Sequence, residues 1–137
     1  MTKKELRQIY YINREILMWK RELERVKSES EIKGQEITGM PRGGGISDTT
    51  GERASRVIDI ELIILGKLTE IQIQRKAIME YINSIDDSFT RQLIYYRHVL
   101  LMDWEEIANT FNGTCSSASL RKAHSRWMRG MEEADEN

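Results

Sequence analysis

The sequence of 137 residues has one cysteine and one proline. A single thiol excludes an internal disulfide framework and a cysteine-rich zinc site. It also fits a reducing compartment. Neither sign of charge dominates: 21 Lys and Arg stand against 22 Asp and Glu, a formal net charge of -1. Global charge therefore offers nothing to nucleic acid, and a local patch has to carry that case. No apolar run approaches the roughly 18 residues that cross a bilayer. The first twenty residues lack the apolar segment of a signal peptide. These absences lead to the expectation of a cytoplasmic protein with no membrane association. With 39% hydrophobic and 31% charged residues, the chain is too apolar to be disordered and too charged for a membrane protein.

Proline and glycine concentrate in one place, Gly39-Met40-Pro41-Arg42-Gly43-Gly44-Gly45. Such a run suits neither a helix nor a strand, and predicts a flexible linker over about residues 31–50. No Gly-Lys-Ser/Thr follows, which excludes a P-loop. Before the linker, Ile9, Ile12, Ile16, Trp19, Leu23 and Val26 recur three or four residues apart, predicting one helix from residue 2 to about 30. After it, Thr49-Thr50-Gly51-Glu52 matches a capping box, so a second helix should start there and run to Ser84. In that helix Val57, Ile64, Leu68, Ile71, Ile78, Ile82 and Ile85 follow heptad spacing, with Glu61 and Arg75 interrupting the series. Ile58, Leu62 and Leu65 should broaden the stripe. Residues 1–84 thus read as a long helical hairpin or coiled coil that oligomerises, with a homodimer expected.

The C-terminal third, residues 85–131, reads as three further helices. Asp86 should cap the first, whose inner face is Phe89, Leu93, Tyr96 and Leu100. Asp103 with Glu106 should cap the second, which buries Ile107, Ala108 and Phe111 and stops at Asn112-Gly113. Thr114 or Ser116 should cap the third, with Leu120, Ala123, Trp127, Met128 and Met131 on its apolar side. Residues 132–137 are an acidic tail. A supporting helix, a short helix, a glycine-containing turn and a second helix make up the helix-turn-helix pattern. The fold class expected is therefore all-α: the long N-terminal helices plus a three-helix C-terminal module.

The last helix has a basic side. At about 100° per residue from Leu120, Arg121, Ser125, Ala118, Arg129, Lys122 and Arg126 fall between about 100° and 240°, away from the apolar side. Residues 116–131 contain four basic residues and no acidic one. Small polar side chains at the start of such a helix reach base edges, and Arg or Lys further along neutralise phosphates. The DNA-binding candidates are Ser117, Ala118, Arg121, Lys122 and Ser125 for bases, and Arg126 and Arg129 for phosphate. Arg97 is a further phosphate candidate. His98, His124 and Cys115 lack partners at ligand or triad spacing. No catalytic residue, metal site or cofactor is therefore expected, and the chain does not read as an enzyme.

Residues 91–131 resemble region four of sigma-70-type transcription factors. They resemble more closely the ArpU- or RinA-like late transcriptional regulators of phage and prophage. The matching residues are Leu93, Tyr96 and Arg97, then Asp103-Trp104-Glu105-Glu106-Ile107-Ala108, then Leu120, Ala123, Trp127, Met128 and Met131. Two departures stand out. The turn is two residues longer than the common sigma turn, and Ser117, Ala118 and Ser119 replace arginines frequent in sigma factors. The resemblance implies a sequence-specific regulator of phage or prophage late genes that binds double-stranded DNA and activates with RNA polymerase. The alternatives are a helical module that binds RNA polymerase or another protein with little DNA affinity, and a small terminase-like DNA-recognition subunit.

Overall fold

The computed structural model describes the backbone of residues 1–36 and 45–136, and the side chains of residues 1–29 and 50–132. Every regular element among the described residues is helical: α1 (Lys3–Leu6), α2 (Gln8–Glu36), α3 (Gly45–Asn83), α4 (Ser88–Ile94) continuing into a π-helical turn (Tyr95–Val99), α5 (Trp104–Thr110) and α6 (Ser117–Glu136). The all-α expectation holds for these residues. Among the described residues, no helix is long and apolar enough to cross a membrane.

The expected first helix is broken near its start. Thr2 caps α1 through a reciprocal box: Glu5 N–H donates to Thr2 Oγ1 at 3.1 Å, and Thr2 N–H donates to Glu5 Oε2 at 2.7 Å. Arg7 ends α1, and α2 begins at Gln8. Much of the expected linker lies outside the described residues, but both helices run into its ends. The second helix starts at Gly45, so Thr49-Thr50-Gly51-Glu52 lies inside it rather than capping it. Ser, Thr and Gly cost at most about 1 kcal/mol each within a helix. A helix already propagating from its apolar downstream part extends through them.

The chain divides into two compact units. One comprises Ile12–Glu70. In it Ile12, Ile16, Val26 and Ile60 are buried, and Lys67 Nζ on α3 lies 3.4 Å from the Glu15 carboxylate on α2. The buried line of α3 differs from the heptad expected. Ile60, Ile71, Ile78 and Ile82 are buried, whereas Glu61, Leu68 and Arg75 are exposed. Ile58, Leu62 and Leu65 do not broaden the buried stripe. They are 56%, 60% and 59% exposed, because two residues along a helix turn a side chain about 200°.

The other unit joins Met1–Tyr11 to Ile71–Asn137. Its main core gathers Leu6, Ile9, Ile78, Ile82, Ile94, Val99, Met128 and Met131. The expected boundary at residue 84 therefore does not bound this unit. The first two turns of the chain and the last turns of α3 complete the core on which α6 rests. Lys3 on α1 also pairs with Glu132 on α6 at 2.7 Å. The cap of α4 is Asp87 rather than Asp86. The helix starts at Ser88, and only the residue before it has the extended backbone and reach to accept Thr90 N–H, here at 3.0 Å.

Candidate nucleic-acid interface

A second, smaller core holds α4, α5 and α6 together. Leu93, Ile107 and Leu120, one from each helix, are almost fully buried. Phe89, Tyr96, Trp104, Phe111, Cys115 and Ala123 pack around them. Phe111 sits 5.6 Å from Phe89 and 6.1 Å from Tyr96, ring centre to ring centre. Burying such aliphatic side chains contributes about 1.5–3 kcal/mol each.

The connection from α4 to α5 is built around Arg97. The π-helical turn closes with Leu100 N–H donating to Tyr95 O at 3.1 Å, and Met102 N–H then donates to Tyr96 O at 3.0 Å. Between them Leu101 takes φ 56°, a left-handed conformation costing about 1–2 kcal/mol for a residue with a side chain. Two observations offset it. Leu101 packs against the main core, and Arg97 Nη1 donates to the Met102 carbonyl at 2.9 Å. The same guanidinium lies 4.5 Å from the centre of the Trp104 ring, a cation–π contact. Arg97 is thus committed to this junction, which argues against its expected role at phosphate.

Asp103 caps α5, its carboxylate accepting Glu106 N–H at 2.8 Å. That bond holds the Asp103 pKa below its usual value. The Asp103 carboxyl, by hydrogen bond and by charge, raises that of Glu106. At the other end Asn112 (φ 53°) and Gly113 (φ 77°) turn the chain left-handed and stop the helix. Two residues of the turn have definite tasks. Thr114 Oγ1 donates to Phe111 O at 2.7 Å, and Cys115 packs on the small core. Ser116, not Thr114, caps α6 by accepting Ser119 N–H at 3.1 Å.

Helix α6 has the two sides its sequence implies. Leu120, Met128 and Met131 are buried, with Ala123 and Trp127 half-buried beside them. Ala118, Arg121, Lys122, Ser125, Arg126 and Arg129 are exposed, and Ser117 is half-buried. Among the described residues, none of the four basic side chains forms an ion pair. Residues 116–131 thus carry four positive charges on one side, with no ion-pair partner among the described residues.

Spacing alone did not reveal the histidine pair. His98 Nε2 and His124 Nε2 lie 2.8 Å apart. The ring centres are 5.0 Å apart with 26° between the planes, so the rings meet edge to edge rather than face to face. Trp104 covers His124 at 5.1 Å. Burial, then the charge of His124, Arg97 and Arg7, pushes the His98 pKa down to about 3. Burial, then Arg97, Arg7 and Lys3, pushes His124 down to about 4. Both rings are therefore neutral near pH 7, with one Nε2–H donating to the other Nε2. The sequence signal was available: both histidines fall on inner helix faces, His98 beside Val99 and His124 beside Ala123. No group of three or more His, Cys, Asp or Glu arranged to hold a metal ion occurs among the described residues.

Comparisons with models of known protein families, with curated proteins and with solved structures give no match.

Proposed function

We propose that residues 88–131 are a helix-turn-helix module that binds double-stranded DNA, with α6 as the helix that enters the major groove. The observation that carries this reading is the side of α6 bearing Arg121, Lys122, Arg126 and Arg129. All four are exposed and free of ion pairs among the described residues, directly after a capped turn. A solvated helix face of ordinary composition mixes both signs of charge. Over residues 116–131 this one carries only basic charges, although the whole chain has a net charge of -1 and the acidic Glu132, Glu133 and Glu136 follow in the last turns of the helix. The short, polar start of α6 suits close approach to base edges, and the arginines further along suit phosphate. The resemblance of Asp103-Trp104-Glu105-Glu106-Ile107-Ala108 to phage late regulators extends the proposal to transcriptional regulation of phage or prophage genes, with RNA polymerase as a second partner.

The test is selection of bound sequences from random duplex DNA by the full chain, followed by titration of the enriched site at several salt concentrations. Enrichment of one motif, with affinity falling linearly as log salt rises, is expected. Equal weak retention of all sequences would overturn the sequence-specific reading. No binding even at low salt would overturn DNA binding and favour a protein partner.

A further inference from the structure

Helix α3 is apolar on two opposite sides, and the intramolecular core uses only one. The second side carries Ile58 (56% exposed), Leu62 (60%), Leu65 (59%), Leu68 (44%) and, further along, Ile73 (63%). The spacing of Ile58, Leu62, Leu65 and Thr69 is four, three, four, the seam of a two-helix coiled coil. On the order of 500 Å² of aliphatic surface is left to water, near the upper end of what a monomer exposes in one patch. Two such stripes facing each other bury on the order of 1,000 Å², the lower bound of a specific interface. Charge along the stripe is also ordered. Its N-terminal half is flanked by Asp59 and Glu61, and its C-terminal half carries Arg75 and Lys76.

We propose that this outer stripe of α3 is a self-association surface whose occupant is α3 of a second copy, running antiparallel. A two-fold axis uses the same patch on both copies, which suits a single self-complementary stripe. Charge selects the direction. In a parallel pair Lys76 would face Lys76 in the seam, and the acidic flanks would meet each other. In an antiparallel pair Leu65 lies beside Thr69 of the second copy and Leu68 meets Leu68. Glu61, Leu68 and Arg75 are seven residues apart and share one flank. Glu61 of each copy therefore comes beside Arg75 of the other, and Lys76 lays its aliphatic stem along Ile58. Neither Glu61 nor Arg75 forms an ion pair among the described residues. This proposal concerns a surface other than α6 and stands without the DNA-binding reading.

The experiment is sedimentation equilibrium of the full chain with four variants. The wild type should be dimeric at micromolar concentration. Leu62→Glu with Leu65→Glu should raise the dimer dissociation constant at least ten-fold with helical content unchanged, because both side chains are exposed within one copy. Glu61→Arg alone and Arg75→Glu alone should each weaken the dimer, and the two combined should restore it. A wild-type monomer up to about 100 μM, or a dimer indifferent to Leu62→Glu with Leu65→Glu, would overturn the surface. Failure of the combined charge exchange to restore association would overturn the antiparallel direction.

Discussion

His98 Nε2 and His124 Nε2 lie 2.8 Å apart and join the π-helical turn after α4 to the middle of α6. The bond requires one nitrogen to carry the proton and the other to offer its lone pair. Protonating both would set two donors against each other in a pocket already facing Arg97, Arg7 and Lys3.

Acid should therefore weaken the fold before the carboxylates titrate. Both folded pKa values lie below the ordinary 6.5. The stabilisation is thus complete above about pH 6.5 and is lost as the pH falls from there toward 4 and 3. His98 alone should cost about 2 kcal/mol by pH 5. Thermal unfolding at pH 7 and pH 5 checks this. His98→Leu combined with His124→Leu should flatten the difference, and an unchanged pH dependence in that variant would remove the histidines from the account.

The module should not survive excision at its apparent sequence boundary. Leu6, Ile9, Ile78 and Ile82 form one core with Ile94, Val99, Met128 and Met131. A fragment of residues 85–137 exposes half of that cluster and should lack a cooperative thermal transition. In the full chain, Ile78→Ala should cost about 2–5 kcal/mol, as a fully buried aliphatic position. A fragment that melts cooperatively near the temperature of the whole chain would contradict both expectations.

Removing the α5 cap should be a milder change. Asp103→Ala loses the bond to Glu106 N–H and should cost about 1 kcal/mol. Asp103→Asn should recover most of it. Chemical denaturation of the three proteins distinguishes a cap from a general charge effect, since Asn restores the hydrogen bond without the charge.

The two classes of residue on α6 should differ in how they fail. Arg121→Ala should cost about 1–3 kcal/mol on the preferred site and flatten discrimination at one or two base pairs. Arg129→Ala should weaken all sequences alike and lower the salt slope by about one. Both residues are exposed, so circular dichroism should be unchanged. If neither substitution alters affinity, α6 does not face DNA.

Much of the local structure was legible because it depends on neighbours in sequence. The Ile9, Ile12, Ile16 and Val26 stripe, the Asp103 cap and the Asn112-Gly113 stop each follow from helical spacing or from a single residue's backbone freedom. The charged side of α6 was legible for the same reason, since a helix fixes the angle between Leu120 and Arg121 whatever surrounds it. Other features depend on what a face meets. Heptad counting on α3 put Leu68 in the apolar series, which Glu61 and Arg75 interrupt, because it followed a repeat of 3.5 residues, whereas an α-helix turns at 3.6 and a heptad line drifts around it. Arg97 looked available to phosphate until Trp104 and the Met102 carbonyl claimed it.

The sequence by itself determined that the chain is helical, where several helices start and stop, and which side of α6 is basic, since these are matters of local backbone preference and angular spacing. Only the tertiary structure decided that the first eleven residues and the end of α3 belong to the same core as α6. It also decided that His98 meets His124, and that one apolar side of α3 stays outside. Contacts between residues far apart in the chain depend on packing shape and desolvation, which no local pattern encodes.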